Sequence, residues 1–372
     1  MPKPIPRLFL VAAVLTAASL TTHAATQTWD TDLTAGAAAG TSTWDLTLAN
    51  WTQDGGATNQ VWVNGNDAVF TGGRANLGSA AITAGTIDVN GAGSFVFGGT
   101  LANLTVTQLN VNTTGAGKLS VNPSGTRTLT ATNISIASGA TLYVAGTNAV
   151  SGAISISGSG NTENLGALRI DTGGTLSGTI NLTGNTSIGA FGGVGTIASA
   201  ISGGFGITKV GAGNNVLSGN NTYTGNTTVS AGTLTVAAST GAIHVGAAAG
   251  GVTVASGATL AVSGKLILTS IVSGSIANAG TLTLDAGTSV LDLAGLFNGQ
   301  ADGSTYQLLS GAGTTTGNFS NITGYAPGSV SFDNSTGLLT FTSAVPEPST
   351  YGLIGAGALA AVAFVRRRRK VA

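Results

Sequence analysis

The sequence predicts an all-β protein whose body is a right-handed parallel β-helix, or solenoid, with a tryptophan-rich N-terminal cap and a single C-terminal transmembrane helix. Three observations carry this prediction. Apolar residues alternate with small polar residues in short runs, 59 of the 372 residues are glycine, and a phrase ending in Thr-Leu recurs along the body. Period-two alternation is typical of half-buried strands, and phrases that recur every few tens of residues are typical of stacked repeats.

Composition excludes several classes of protein. The chain has no cysteine, so a disulfide framework and a thiolate metal site are both excluded. Only 7% of its residues are charged. Most of the basic residues lie at the two ends of the chain, and the body between them is mildly acidic. Because so few cations are available to neutralise phosphates, no nucleic-acid partner is expected.

Residues 1–24 have the layout of a secretory signal peptide. Lys3 and Arg7 precede an apolar run over 8–20, and Thr22-His23-Ala24 places small residues first and third before a junction. This layout predicts cleavage between Ala24 and Ala25 and export through the Sec machinery. The alternative is an uncleaved anchoring helix, but a run of this length extends for about 20 Å, against about 30 Å for a hydrocarbon core.

Residues 25–75 contain all four tryptophans of the chain: Trp29, Trp44, Trp51 and Trp62. A solenoid leaves an unpaired edge and an open core at its first turn, and large rings can cover both. The segment is therefore predicted to be an N-terminal cap. The alternative is a set of glycan contacts, since an indole face can cover the apolar side of a sugar ring while its N–H keeps a polar partner.

Residues 76–298 are predicted to form the solenoid. Ile154 and Ile156 alternate with serines, and over 128–136 the alternation continues on both sides of a one-residue slip at Thr132-Asn133. Strands with one buried face have this pattern. The rival interpretation is a disordered low-complexity chain, but such chains lack β-branched residues in register and usually carry high net charge.

A recurring phrase suggests the length of one turn. Gly-Thr-Leu or Gly-Ala-Thr-Leu ends at Leu101, Leu142, Leu176, Leu234, Leu260 and Leu282. The intervals of 41, 34, 58, 26 and 22 residues approximate two, two, three, one and one turns of roughly 20 residues each, a period typical of a solenoid. Glycine suits the tight corners, where a positive φ is needed.

One stretch of the body carries a family resemblance. From 204 to 236 the chain reads GFGITKVGAGNNVLSGNNTYTGNTTVSAGTLTV, with Lys209, paired glycines, Leu-Ser-Gly, Asn-Thr-Tyr-Thr-Gly and Ala-Gly-Thr-Leu in that order. It resembles the autotransporter-associated β-strand repeat of bacterial passenger-type surface proteins. The resemblance implies an export-competent β-helical shaft and no particular activity. The chain departs from an autotransporter because no amphipathic β-barrel pattern precedes its C-terminus.

Residues 299–343 are predicted to hold closing strands, at 305–309, 329–332 and 338–341, with a turn over 333–337. The last segment, 344–372, contains Pro346, Glu347 and Pro348 and then a charge-free run over 351–365. A run of 15 residues followed by a basic cluster can just insert into a membrane, with the cluster stopping transfer. The basic stop-transfer residues are Arg366, Arg367, Arg368, Arg369 and Lys370.

This terminal segment resembles the PEP-CTERM sorting signal, which combines a Pro-Glu-Pro motif, a short transmembrane helix and an arginine-rich tail. The resemblance implies recognition of Pro346, Glu347 and Pro348 by an exosortase-type membrane protease. It also implies release to, or display on, the surface of bacteria that make exopolysaccharide. The alternative is a simple tail-anchored protein.

Candidate catalytic residues are few. The mature body has a single histidine, His244, and no serine stands in a Gly-x-Ser-x-Gly elbow. Asp285 and Asp292 are the closest acidic pair within the predicted solenoid and could serve glycoside hydrolysis if their carboxyl groups lay about 6.5–9.5 Å apart. Solvated turn residues are the simpler interpretation. No catalytic, cofactor or metal site is predicted.

These observations favour a secreted bacterial surface or biofilm-matrix protein with a structural or adhesive role and no catalysis. We expect transient membrane insertion through 351–365, then a location at the cell surface or outside the cell, where exopolysaccharide is a candidate partner. The alternative function is a β-helical polysaccharide-binding protein, or a polysaccharide hydrolase or lyase.

Overall fold

The structure is a computed structural model that describes most of the body of the chain. The described residues are 24–32, 39–101, 104–121, 126–237, 241–245, 251–268, 274–294, 296–297, 303–325 and 330–342. These ranges contain no α-helix, and within them no helix is long and apolar enough to cross a membrane. The predicted membrane segment over 351–365 lies outside the described residues.

The described ranges contain strands throughout, numbered here in chain order. They are β1 (Thr26–Trp29), β2 (Thr41–Trp44), β3 (Trp51–Thr52), β4 (Asp67–Phe70), β5 (Gly73–Leu77), β6 (Ile82–Gly91), β7 (Phe95–Gly99), β8 (Leu104–Thr113), β9 (Leu119–Val121), β10 (Arg127–Ile136), β11 (Leu142–Val144), β12 (Asn148–Gly158), β13 (Leu168–Ile170), β14 (Thr175–Gly189), β15 (Val194–Ile197), β16 (Ala200–Ser202), β17 (Ile207–Val210), β18 (Asn214–Leu217), β19 (Thr227–Val229), β20 (Thr233–Val236), β21 (Ala242–Val245), β22 (Val252–Val254), β23 (Thr259–Val262), β24 (Lys265–Leu268), β25 (Ile276–Asn278), β26 (Thr281–Leu284), β27 (Val290–Asp292), β28 (Thr305–Gln307), β29 (Leu309–Ser310), β30 (Thr314–Thr316), β31 (Asn321–Thr323), β32 (Val330–Asp333) and β33 (Leu338–Phe341).

Most of these strands pair in parallel with strands one turn earlier and one turn later. One ladder stacks β15, β18, β20, β23, β26 and β30. A second stacks β17, β19, β22, β25 and β29, and a third stacks β21, β24, β27 and β31. Because the chain visits the ladders in rotation, the fold is a parallel β-solenoid, as predicted. The handedness of its coil stays a prediction.

The interior of the solenoid consists of the inward residues of each strand. Ile154 and Ile156 of β12 are buried, whereas Ser155 between them is exposed. The pairing of β10 with β12 shifts register between Thr130 and Asn133, and Thr132 and Asn133 are both exposed. This bulge confirms the predicted slip, and it allows the apolar residues on both sides of it to face the core.

The recurring phrase follows the turns only along part of the body. Leu260 pairs directly with Leu234 one turn before it and with Leu282 one turn after it, so the predicted single-turn intervals are confirmed. The two-turn interval between Leu142 and Leu176 is wrong. Leu142 lies between Leu119 and Leu168 in a different ladder, because a glycine corner followed by Thr-Leu can begin a strand on more than one side of the coil.

Long strands bend around corners at stacked glycines. Gly152 of β12 pairs with Gly178 of β14, and the φ of Gly178 is +100°. A Cβ on Gly178 would overlap the carbonyl oxygen of Gly152. Only glycine allows both this backbone conformation and this close approach of two turns.

Gly178→Ala is therefore expected to lower the free energy of unfolding by about 2–3 kcal/mol, through backbone strain and steric overlap. The matched control is Gly257→Ala, whose φ is +77° but whose added Cβ would meet nothing within 4 Å. We expect about 1 kcal/mol there from strain alone. Chemical denaturation of both variants checks the difference, and equal losses would contradict the role of close approach.

The C-terminal end departs from the parallel pattern. β33 pairs in antiparallel fashion with both β28 and β32, and the Gly337 N–H donates to the Asp333 carbonyl at 2.8 Å in the turn that joins β32 to β33. Phe297 stacks on Phe341 with ring centroids 4.7 Å apart. β28, β32 and β33 overlap the segments predicted as strands at this end, whereas β29, β30 and β31 pair in the parallel ladders of the solenoid.

Candidate functional site

The predicted processing sites lie at or beyond the edges of the described structure. Ala24 and Ala25 are exposed and immediately precede β1. The carbonyl oxygen of Ala25 accepts a hydrogen bond from the Asp67 N–H at 3.0 Å, so Ala25 takes part in the pairing of β1 with β4. The other processing residues, Pro346, Glu347, Pro348, Arg366, Arg367, Arg368, Arg369 and Lys370, lie outside the described residues.

The four tryptophans form one buried cluster with Phe70. Trp29, Trp44 and Trp51 are 0% exposed, and Trp62 is 2% exposed. The Trp51 ring centroid lies 5.1 Å from that of Trp29, 5.0 Å from that of Trp44 and 4.6 Å from that of Trp62. A sugar-stacking platform needs an exposed ring face, so the glycan-contact hypothesis for these residues gains no support from the structure.

The polar edges of the cluster are unevenly satisfied. The Trp29 Nε1–H donates to the Gly40 carbonyl at 3.3 Å, and the Trp62 Nε1–H donates to the Asn64 side-chain oxygen at 3.1 Å. The Nε1 atoms of Trp44 and Trp51 are buried with no hydrogen-bond partner among the described residues. Burial of their apolar area outweighs this loss, which indicates that the cluster is a packing core.

The carboxylates considered for catalysis occupy ordinary structural positions. Asp285 accepts a hydrogen bond from the Gly287 N–H at 2.9 Å. This bond, together with one from the Thr288 side chain, lowers the pKa of Asp285, whereas a general acid needs a raised pKa. Asp292 forms an ion pair with Lys265 at 3.4 Å. Nδ1 of His244 is buried without a hydrogen-bond partner among the described residues.

A charged cluster that the sequence analysis did not identify crosses adjacent turns. The side chain of Glu163 bridges Lys118 and Arg169, with 2.9 Å between its Oε2 and the Arg169 Nη1. Arg169 also contacts the Asp171 Oδ2 through Nη2 at 2.8 Å. The Arg169 guanidinium lies 4.4 Å from the centroid of the Tyr143 ring, and Tyr143 and Arg169 are direct partners in the parallel ladder.

The electrostatics of this cluster are balanced. Burial alone would raise the pKa of Glu163, but the hydrogen bonds and charges of Lys118 and Arg169 outweigh burial and lower it. Two cations face two anions, and each ionic side chain is engaged by another. Such an arrangement fastens the loop that carries Glu163 to the strands beside it. The sequence signal that could have revealed this cluster is the spacing of Arg169 and Asp171. Residues two positions apart lie on the same face of a strand.

The second feature that the sequence did not place is a buried lysine. Lys209 of β17 is 0% exposed and lies in the core register between Ile188 and Val229. Its Nζ donates to the carbonyl oxygens of Val210 and Gly211 at 2.8 Å and of Ala231 at 3.2 Å. An ammonium group has three donors, so all of them are used. Burial lowers the pKa of Lys209 to about 8.

Among the described residues, no group of three or more His, Cys, Asp or Glu side chains could hold a metal ion. The charged cluster and the buried lysine each connect different turns of the solenoid.

Two segments of the chain match models of known protein families. A family model for the passenger-associated-transport-repeat matches residues 207–236, and a model for the PEP-CTERM protein-sorting motif matches residues 344–369. No curated protein and no solved structure matches the chain. The sorting motif implies exosortase-mediated sorting, and with the passenger repeat it implies an exported, cell-surface protein. The chain thus carries a PEP-CTERM protein-sorting motif over residues 344–369, and its β-solenoid includes a passenger-associated-transport-repeat over residues 207–236.

Proposed function

We propose that this protein is a non-catalytic shaft of the bacterial cell surface or extracellular matrix, with a structural or adhesive role. The observation that carries the proposal is a sorting motif that follows a parallel solenoid in the same chain, and the charged side chains of the Glu163 cluster in that solenoid are paired with one another. A long, stiff stack of parallel turns is suited to displaying surface away from a membrane.

The proposed route to the surface has three steps. The Sec machinery exports the chain and the signal peptide is removed between Ala24 and Ala25. The segment over 351–365 then holds an inner-membrane intermediate, and an exosortase cuts near Pro346-Glu347-Pro348. The released or attached shaft would lie among exopolysaccharide, as in a biofilm matrix.

The tryptophan cluster is proposed to cap the first turn. In support, β1 pairs in parallel with β4 on one side and in antiparallel fashion with β3 on the other, so the short β3 occupies an edge that would otherwise be open. Trp51 belongs to β3 and extends the core beneath it. Covering both the edge and the core would prevent end-to-end aggregation of shafts.

The intact mass of the mature protein, measured separately from cell-surface and medium fractions, tests the proposed sorting. We expect a chain that begins at Ala25 and ends near Pro348, with any added mass identifying an attached group. Glu347→Ala should keep the basic tail and remain in the membrane fraction, whereas the neighbouring Ser349→Ala should be processed normally. A wild-type mass that retains residues 366–372 would make the protein a membrane-anchored one.

The competing function is a polysaccharide hydrolase or lyase. Incubating the mature protein with acidic and with neutral polysaccharides distinguishes it from the shaft. Chain cleavage that is lost in Asp292→Asn would replace the proposed function with an enzymatic one.

A further inference from the structure

An uncharged groove lies on the outside of the passenger repeat. It has a volume of about 320 Å³ and lies where β17 and β19 stack on the C-terminal part of β14. Its lining includes Asn185, Gly206, Thr208, Gly225, Asn226 and Thr228. The volume is at the lower end of the range for small-molecule sites, about 300–1,000 Å³.

Glycine makes this corner concave. A Cβ on Gly206 would overlap the carbonyl oxygen of Asn226 one turn later, and a Cβ on Gly225 would overlap the backbone nitrogen of Gly206. The two turns therefore approach closely only because neither position carries a side chain. The space between Asn185 and Asn226 stays open for a ligand.

The walls of the groove supply hydrogen-bonding groups. The Asn185 side-chain oxygen accepts from the Gly206 N–H at 2.9 Å, which orients the amide. Thr208 and Thr228 are direct partners on adjacent turns, so their positions repeat at about 4.8 Å, the spacing of neighbouring strands. Within the described part of the chain, the side chains of Thr208, Asn226 and Thr228 make no hydrogen bond.

The chemistry of the lining selects the class of ligand. No lining side chain is charged, so an ionic ligand would find no counter-ion, and a purely apolar ligand would leave the amides and hydroxyls without partners. A polyhydroxylated, uncharged ligand satisfies both conditions. Phe205 stands in the sequence between two glycines of the lining and is 42% exposed. We therefore include its ring in the proposed site, as the apolar surface that the C–H face of a sugar needs.

We propose that this groove binds a neutral saccharide through Asn185, Thr208, Asn226 and Thr228, with Phe205 as the stacking ring. The site lies on the wall of the solenoid, away from the buried tryptophans. It gives the shaft an adhesive surface and does not depend on the sorting proposal, because binding can be measured on the protein whether or not its tail is processed.

The test is binding of the full-length protein to an array of neutral glucan, xylan, mannan and galactan oligosaccharides, with oligogalacturonate as the acidic comparison. Asn226→Ala, Thr228→Val and Phe205→Ala should each weaken binding at least tenfold. Two matched controls should leave it unchanged. Thr253→Val alters the next threonine in register after Thr228, and Phe191→Ala alters a 69% exposed ring at another corner.

Circular dichroism and thermal unfolding of each variant separate lost binding from lost folding. Absence of binding to every neutral oligosaccharide would overturn the proposal. So would preference for the acidic oligosaccharide, or equal effects of groove and control variants. A failed binding test combined with normal processing at Pro346-Glu347-Pro348 would reject the groove and leave the sorting proposal standing.

Discussion

Replacement of Trp51 by alanine is expected to lower the free energy of unfolding by about 3–5 kcal/mol, the usual cost of truncating a buried aromatic side chain to alanine. Trp51 is 0% exposed and contacts Trp29, Trp44, Trp62 and Phe70 within one cluster. Trp29, Trp44, Trp62 and Phe70 could move into the cavity only by leaving their own ring contacts with one another. The loss should appear first as opening of β1 and β3, whose pairing Trp51 shares with Trp29.

Tryptophan fluorescence during denaturation checks this expectation, because the three tryptophans that remain in the variant, Trp29, Trp44 and Trp62, all belong to the affected cluster. Phe191→Ala is the matched control, since its ring is 69% exposed. Loss of its contact with the Arg169 guanidinium, 5.8 Å from the ring centroid, should lower the free energy of unfolding by less than about 1 kcal/mol. Trp51→Ala should also leave saccharide binding at the distant groove intact at temperatures where the variant is folded. A folded Trp51→Ala variant of unchanged stability would contradict both the core and the proposed cap.

The stability of the solenoid is expected to rise between pH 8 and pH 10 by about 2–3 kcal/mol through Lys209 alone. Burial lowers the pKa of Lys209 from 10.5 to about 8. Between these values the unfolded chain keeps the proton that the native chain has released, so raising the pH favours the native state. Well below pH 8 both states hold the proton, and there the contribution of Lys209 no longer changes with pH.

Comparison with Lys209→Met isolates this contribution, because all other titrating groups are shared. Methionine fills a similar volume without a charge, so the difference in unfolding free energy between the two proteins should change with pH from 8 to 10. At pH 7 the variant loses the donors to the carbonyls of Val210, Gly211 and Ala231, which we expect to cost about 1–3 kcal/mol. Parallel stability curves across this pH range would show that Lys209 stays charged in the native protein.

These two buried sites support a common view of the shaft. Only 7% of the residues of the chain are charged, so the solenoid depends on a few side chains that connect one turn to another. The tryptophan cluster, Lys209 and the Glu163 cluster each do this with a different chemistry. The outward-facing residues of the strands contribute less to these connections and can serve binding instead. The proposed groove consists of such residues, since its polar side chains make few hydrogen bonds within the protein.

Much of the fold was predictable because it depends on local pattern. Period-two alternation identified the strands, and the slip at Thr132-Asn133 identified a bulge that the register of β10 and β12 confirms. The terminal Pro346-Glu347-Pro348 motif and the Lys209-to-Leu234 repeat were readable for the same reason, since each is a contiguous string that a family shares.

The tertiary structure alone decided which residues meet across turns. Residues that pair on adjacent turns are separated by 19 positions at Leu217 and Val236 but by 33 at Ile276 and Leu309. A turn of variable length cannot be computed from an average period, so Leu142 was assigned to the wrong ladder and Lys118 was not linked to Glu163. The tertiary structure likewise decided that the side chain of Lys209 points inward. Three backbone carbonyls at one corner accept the hydrogen bonds of its buried ammonium group.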